Sequence, residues 1–200
     1  AMVRLRIPKL GSNALHLAVA KGHEEVVRFL SQALHRQHRR MTLTQLFDVA
    51  NASDRTALQL AAHAGLAGVA AVLCEHGAPR ATLDALGHSA LSLAAGRGHV
   101  EVVRLLWEAD TGCEGASERR LPFHCAAASG HVCVLRFLAQ VGVDKDIQDG
   151  PSGLTAVHLA AGGGRAEVVR WLLETRAASD VADRIGRTAL QWASEEGHEE

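Results

Sequence analysis

The chain lacks three features that would each have pointed directly to a chemistry. It has no charge excess, because 21 Lys and Arg stand against 22 Asp and Glu, leaving a formal net charge of −1. A nucleic-acid-binding domain normally carries a clustered basic surplus, so direct nucleic-acid binding has no electrostatic footprint here. It is poor in cysteine. Four residues (Cys74, Cys113, Cys125 and Cys133) at irregular spacing in 200 positions exclude the disulfide framework of a small secreted domain. It also has no apolar run near the ~18 residues that a membrane helix needs, and no signal-peptide pattern. The expectation is a reduced, soluble, intracellular chain, cytoplasmic or nuclear. Its 48% hydrophobic content is enough to build a core.

What the sequence does contain is a recurring phrase. Asn13-Ala14-Leu15-His16-Leu17-Ala18 returns as Thr56-Ala57-Leu58-Gln59-Leu60-Ala61, Ser89-Ala90-Leu91-Ser92-Leu93-Ala94 and Leu121-Pro122-Phe123-His124-Cys125-Ala126. It returns twice more, as Thr155-Ala156-Val157-His158-Leu159-Ala160 and Thr188-Ala189-Leu190-Gln191-Trp192-Ala193. Leu58 to Leu91 and Val157 to Leu190 are both steps of 33 residues. A fixed period of that size signifies stacked repeats rather than a globule around one buried active site. In four of the six units, Thr or Ser stands where a helix N-cap is wanted, its hydroxyl able to accept from an orphan amide. Gly22, Gly65, Gly98, Gly130, Gly164 and Gly197 close the first helix, where the left-handed conformation suits glycine. A second helix of the form Glu-Val-Val-Arg-x-Leu follows. Each helix is only two to three turns, below the ~12–15 residues at which isolated helices become marginal, so each unit needs its neighbours.

The breaks in the rhythm are informative. Leu15 to Leu58 is 43 residues, with the excess between Ser31 and Asn51, and the second helix of the first repeat is expected to run on through Arg36–Arg40. Phe123 to Val157 is 34, which places one extra residue in the loop Asp149-Gly150-Pro151-Ser152-Gly153. Leu91 to Phe123 is 32, and the third-to-fourth junction is the least regular. The chain ends at Gly197-His198-Glu199-Glu200, the residue types of Gly22-His23-Glu24-Glu25, so the last repeat is expected to be cut short before its second helix.

These motifs resemble the ankyrin repeat family over about Gly11 to Glu200. The resemblance implies an all-α ankyrin-repeat solenoid of about six helix-turn-helix repeats with β-hairpin fingers. It forms a single repeat domain over 1–200, with units near 11–50, 51–86, 87–117, 118–152, 153–185 and a truncated 186–200, and an insertion at 31–51. Loops matching the family's fingers include Asp84-Ala85-Leu86-Gly87 and Asp183-Arg184-Ile185-Gly186. His16, His124 and His158 fall at the family's motif position, where the imidazole bonds nearby backbone. His23, His99, His131 and His198 recur after the helix-closing glycine, and a side chain that returns at every step serves the scaffold.

No chemistry survives on the remaining candidates. His124, Cys125, His131 and Cys133 have zinc-ligand types, but adjacent residues of one helix point to different faces, so no metal site is assigned. Gly162-Gly163-Gly164 follows a helix rather than a strand and fails the dinucleotide context. No nucleophile–base–acid set lies outside scaffold positions, so no catalytic residue, cofactor or enzymatic activity is expected. His35-Arg36-Gln37-His38-Arg39-Arg40 is the one basic cluster, a solvated helix face, an acidic-partner contact or a weak nuclear-import signal.

Partner-binding positions are those that vary between repeats, on finger tips and at the ends of first helices. They are Lys21, His63, Leu83, Leu86, His88, Arg97, Ser129, Gln148, Pro151, Ser152, Leu154, Arg184, Ile185 and Arg187. The expected function is a protein-interaction scaffold whose partner is another protein or peptide, with no membrane, nucleic acid or small-molecule substrate. Two alternatives stand beside it. One is a substrate-recruiting or regulatory module of a larger ligase or kinase. The other is sequestration of a Rel-type transcription factor, because the first-repeat excursion, the Leu83–Ser89 finger and the extra residue near Pro151 look like the inhibitor-of-NF-κB branch.

Overall fold

The computed structural model describes residues 14–37, 50–51, 54–109 and 120–198, with the side chains of 34–37, 120 and 121 excepted. Gly11–Asn13, the basic residues His38-Arg39-Arg40, the insertion to 49, the 110–119 finger with Cys113, and Glu199-Glu200 lie outside the described residues. Eleven α-helices stand among those described. They are α1 Ala14–Ala20, α2 Glu24–Gln37, α3 Ala57–His63, α4 Ala67–Glu75, α5 Ala90–Gly96, α6 Val100–Ala109, α7 Arg120–Ser129, α8 Val132–Gln140, α9 Ala156–Gly162, α10 Ala166–Glu174 and α11 Ala189–Glu195. Odd and even numbers are the first and second helices of successive repeats. α2, at 14 residues against 9 for α4, runs on as far as Gln37, as its continued apolar stripe required.

The chain divides into two compact units, Ala1–Ala94 with Glu101–Gly112, and Ala95–Val100 with Cys113–Glu200. In the first unit, α1 packs on α2 and α3, and α4 on α2 and α3. In the second, α7 packs on α8 and α9, α9 on α10 and α11, and α10 on α8. First helices therefore stack on first helices and second on second. The core is their shared apolar stripe: Leu58, Ala61, Leu73 and Val27 in one unit, Phe123, Leu135, Leu138, Val168 and Leu172 in the other. Burying one such Leu, Val or Phe contributes about 1.5–3 kcal/mol.

Two sets of contacts join neighbouring repeats. At the motif position, Gln59 Nε2 donates to the carbonyls of Thr82 (2.8 Å) and His88 (3.1 Å). His124 Nε2 donates to Leu154 O at 3.1 Å and His158 Nε2 to Arg187 O at 3.1 Å. His158 Nδ1 accepts the Thr155 N–H at 3.2 Å, which fixes the tautomer and completes the cap of α9. Ser92 is too short to reach out and turns back, its Oγ donating to Ser89 O at 3.0 Å.

The second set follows the helix-closing glycines, all with positive φ. In several repeats the residue after this glycine lies on the glycine of the preceding repeat. Leu66 covers Gly22, the His131 ring covers Gly98, and Arg165 covers Gly130. His131 Nε2 donates to Gly96 O (3.2 Å) and Arg165 Nε to Ala128 O (3.0 Å), the equivalent carbonyl one repeat on. The scaffold reading of His124, His131 and His158 is thereby given specific partners.

The fingers differ from the expected hairpins. Among the described residues no strand forms, and one isolated antiparallel bridge joins Ala182 to Thr188. An aspartate takes over the work of the missing ladder, as set out below. One finger start also carries backbone strain. Arg176, after α10, has φ 61° where the equivalent Gly77 and Gly142 have 78° and 92°. A left-handed residue with a Cβ costs about 1–2 kcal/mol, partly offset by the greater freedom glycine has when unfolded. Arg176→Gly is therefore expected to stabilise the chain by about 0.5–1 kcal/mol. Chemical denaturation reads the shift in midpoint, and an unchanged or lower midpoint contradicts the strain.

Candidate functional site

The third and sixth fingers are built alike. Asp84 N donates to His88 O (3.0 Å), Gly87 N donates to Asp84 O (2.9 Å), and Asp84 Oδ1 accepts the N–H groups of Leu86 (3.0 Å) and His88 (2.9 Å). Asp183 repeats the set. Its N–H bonds Arg187 O at 2.9 Å, and its Oδ1 accepts from Ile185 (2.9 Å) and Arg187 (2.8 Å). Both carboxylates are buried beneath the tip. The second oxygen of Asp84 is met by Arg55 Nε at 3.3 Å, and that of Asp183 by Arg187 Nε (3.2 Å) and Trp192 Nε1 (3.0 Å). Arg187 also lies 4.3 Å from the Trp192 ring centre and pairs with Glu195 at 2.9 Å.

These contacts set the charge state. The N–H of Arg187 leads in holding the Asp183 carboxyl well below the usual carboxylate range, against burial, with Trp192, the Ile185 N–H and the Arg187 guanidinium adding to it. Burial is the largest single influence on Asp84 and pushes it up. The N–H groups of His88 and Leu86, with the charges of His88 and Arg55, outweigh it and leave the group lowered. A carboxyl lowered by folding stabilises the fold above its unfolded value of about 4, and that contribution disappears as pH falls toward the folded value. Asp183→Asn is expected to melt lower at neutral pH and to lose less further stability below pH about 4 than the parent. Melting curves at a series of acidic pH values decide it. Parallel acid slopes for the two chains contradict the assignment.

The sequence-selected positions fall into four groups. Lys21, Leu83, Leu86, Arg97, Ser129, Pro151, Ser152 and Ile185 are exposed, Leu86 at 74% and Ile185 at 78%. His63 is half-buried. His88, Gln148, Arg184 and Arg187 reach the surface but also brace fingers. His88 Nδ1 lies 3.5 Å from Asp84 Oδ1, and Gln148 Nε2 donates to Gly153 O (2.9 Å) and Ala182 O (3.3 Å). Arg184 N donates to Ser152 O at 3.1 Å, and its guanidinium bonds Gly150 O. The fifth and sixth fingers are thus laced together. Leu154 is a correction: its side chain is 9% exposed and belongs to the core. Asp149 bonds Leu154 N five residues on, at 2.7 Å, where Asp84 and Asp183 bond four residues on. The extra residue lies at the exposed Pro151-Ser152, and Leu154 is buried at the place where His88 and Arg187 stand half-buried in their own fingers. Sequence reading missed Arg55 and Trp192, which stand 29 and 9 residues from the aspartates they meet and carry no local signal of it.

Burial raises the thiols of Cys74 and Cys125, the latter to about 11, so both stay protonated and poorly nucleophilic at neutral pH. Among the described residues no three His, Cys, Asp or Glu side chains converge as for a metal, and no helix is long and apolar enough to cross a membrane. An open groove between α9, α10 and α11 is lined by Val157, Val169, Leu173, Ala189, Leu190 and Ala193.

The family profile described as ankyrin repeats matches residues 3–82, 78–149 and 123–200. The chain belongs to the ankyrin repeat family. Human ankyrin repeat domain-containing protein 63 is 34% identical over 176 residues, 82% of this chain and 43% of its own length. Human NF-kappa-B inhibitor zeta is 27% identical over 198 residues, covering 82% of this chain and 27% of that protein. The solved ankyrin repeat domain of Bcl-3, a member of the IkappaB protein family, superposes with a TM-score of 0.78 at 26% identity, over 94% of this chain and 82% of that one. This ankyrin chain spans less than half the length of the curated relatives named here.

Proposed function

We propose that this chain is a protein-interaction module that binds another protein through its finger tips and the ends of its first helices. The observation that carries the reading is the contrast within each finger. The aspartate, its backbone partners and the arginine beneath are consumed by the scaffold, while Leu86 and Ile185 stand exposed on rigid tips. Ordering is complete before binding, so a contact there loses little conformational entropy. Exposed apolar residues on fixed loops serve as binding anchors. The test is quantitative affinity purification with Leu86→Asp and Ile185→Asp, separately and together. The expected result is loss of specific partners, at least tenfold or about 1.4 kcal/mol, from variants that melt with the parent. Full retention of every partner by the folded double variant removes the proposal.

The likeness to NF-kappa-B inhibitor zeta and to Bcl-3 favours a second reading, in which the partner is a Rel-type transcription factor. Titration of a purified Rel-homology dimer, read by fluorescence anisotropy, separates the two. Saturable binding weakened by Leu86→Asp supports it, and no binding at micromolar dimer leaves the general module alone.

A further inference from the structure

α2, at 14 residues the longest helix among those described, presents a second face besides the one it packs with. Val27 and Ser31, both 0% exposed, face the core. Arg28 is drawn to the α4 side, pairing with Glu24 at 3.2 Å and with Glu75 at 3.5 Å. At about 100° per residue, the side opposite Val27 and Ser31 carries Glu25, Phe29, Gln32 and Arg36 in one row, with Val26 and Ala33 beside it. Phe29 is 70% exposed and Val26 47%, and no other aromatic side chain among the described residues is exposed. The row therefore reads acid, apolar centre, base. Glu25 is itself exposed, and the ion pairs of α2 use Glu24 and Arg28 instead.

We infer that this face of α2 binds the same face on a second copy of the chain, with the two helices antiparallel about a two-fold axis. The charge pattern is self-complementary in that orientation and self-repelling in a parallel one. Glu25 and Arg36 stand 11 residues apart, about 16.5 Å along the helix, so reversal sets each Glu25 against the other copy's Arg36. The axis then passes between positions 30 and 31. It brings the two Phe29 to about 4.5 Å from one another along the helices, within reach of aromatic contact, with Val26 and Ala33 around them. One patch is used twice, as in any isologous dimer. Removal of Phe29 and Val26 from water supplies the attraction, and the charge pairs set the direction. A patch one helix long lies at the small end of specific interfaces, which sets the expected dissociation constant at about 10–100 μM. The finger tips take no part, so pairing brings two copies of the surface proposed above into one assembly.

Sedimentation equilibrium over about 1–200 μM chain tests this, with each variant checked for parental melting. The parent is expected to follow a monomer–dimer equilibrium and Phe29→Asp to stay monomeric throughout. Glu25→Arg and Arg36→Glu each set like charges together twice, and each alone is expected to weaken pairing about tenfold or more. Mixed in equal amounts, the two single variants are expected to pair within about threefold of the parent, because every contact between unlike copies then joins opposite charges. No contact within one chain reproduces that rescue. Leu86→Asp is expected to leave pairing unchanged, which separates this result from the test of the fingers. A parent that is monomeric at about 200 μM, a dimer that survives Phe29→Asp, or a mixture no tighter than either variant alone overturns the inference.

Discussion

Phe123→Ala is expected to destabilise the protein by about 4 kcal/mol, and Leu190→Ala at the same place in the repeat by less than about 0.5 kcal/mol. The two residues are separated by two repeats and share one motif position. Phe123 is 0% exposed, and its removal leaves a cavity between α7 and its neighbours in the second unit. Leu190 is 79% exposed on the open side of α11, beside the groove with Val169 and Leu173, and its truncation exposes nothing new. Chemical denaturation followed by circular dichroism compares the two midpoints directly. Equal losses at the two positions contradict the view that coverage by a neighbouring repeat, rather than residue type, sets the stabilisation.

Gly98→Ala is expected to cost about 3 kcal/mol. The φ of 76° puts any L-residue in the left-handed region, at about 1–2 kcal/mol. A Cβ there also lies 2.7 Å from His131 Nδ1, an overlap that forces the ring off its hydrogen bond to Gly96 O. Overpacking of this kind adds about 1–3 kcal/mol. His131→Ala alone is expected to cost about 1–2 kcal/mol through that lost bond and contact. In the double variant the overlap is gone, so its cost falls short of the sum by about 1 kcal/mol or more. Strict additivity in the double-mutant cycle contradicts the packing of the imidazole on the glycine.

The repeat was legible because its physics is stated several times over. A helix-closing glycine occurs at each step, a Thr or Ser cap at four of the six and a Val-Val pair at three, so tertiary context has little room to override the pattern. The histidines read as scaffold for the same reason, and backbone carbonyl partners bear this out, one repeat on for His124 and His158 and one repeat back for His131. Three things were not legible. The burial of Leu154, at the place where His88 and Arg187 stand half-buried in their fingers, carries no mark in the local sequence. The pairing of Asp84 with Arg55 joins residues 29 apart, beyond any local pattern. The lacing of the fifth finger to the sixth through Arg184 and Gln148 depends on two loops of different length meeting side by side. A side chain that varies between repeats is therefore free of the consensus, yet not always free of packing.

Finger tips displayed by an otherwise fully occupied scaffold are the central claim. Amide hydrogen exchange, recorded on the chain alone and with the partner recovered by affinity purification, tests it most directly. The account predicts new protection confined to the finger segments around 83–88, 148–152 and 182–187 and to the ends of α5 and α7, with the outer helices α4, α8 and α10 unchanged. Protection centred on those outer helices, with the fingers exchanging as before, contradicts it.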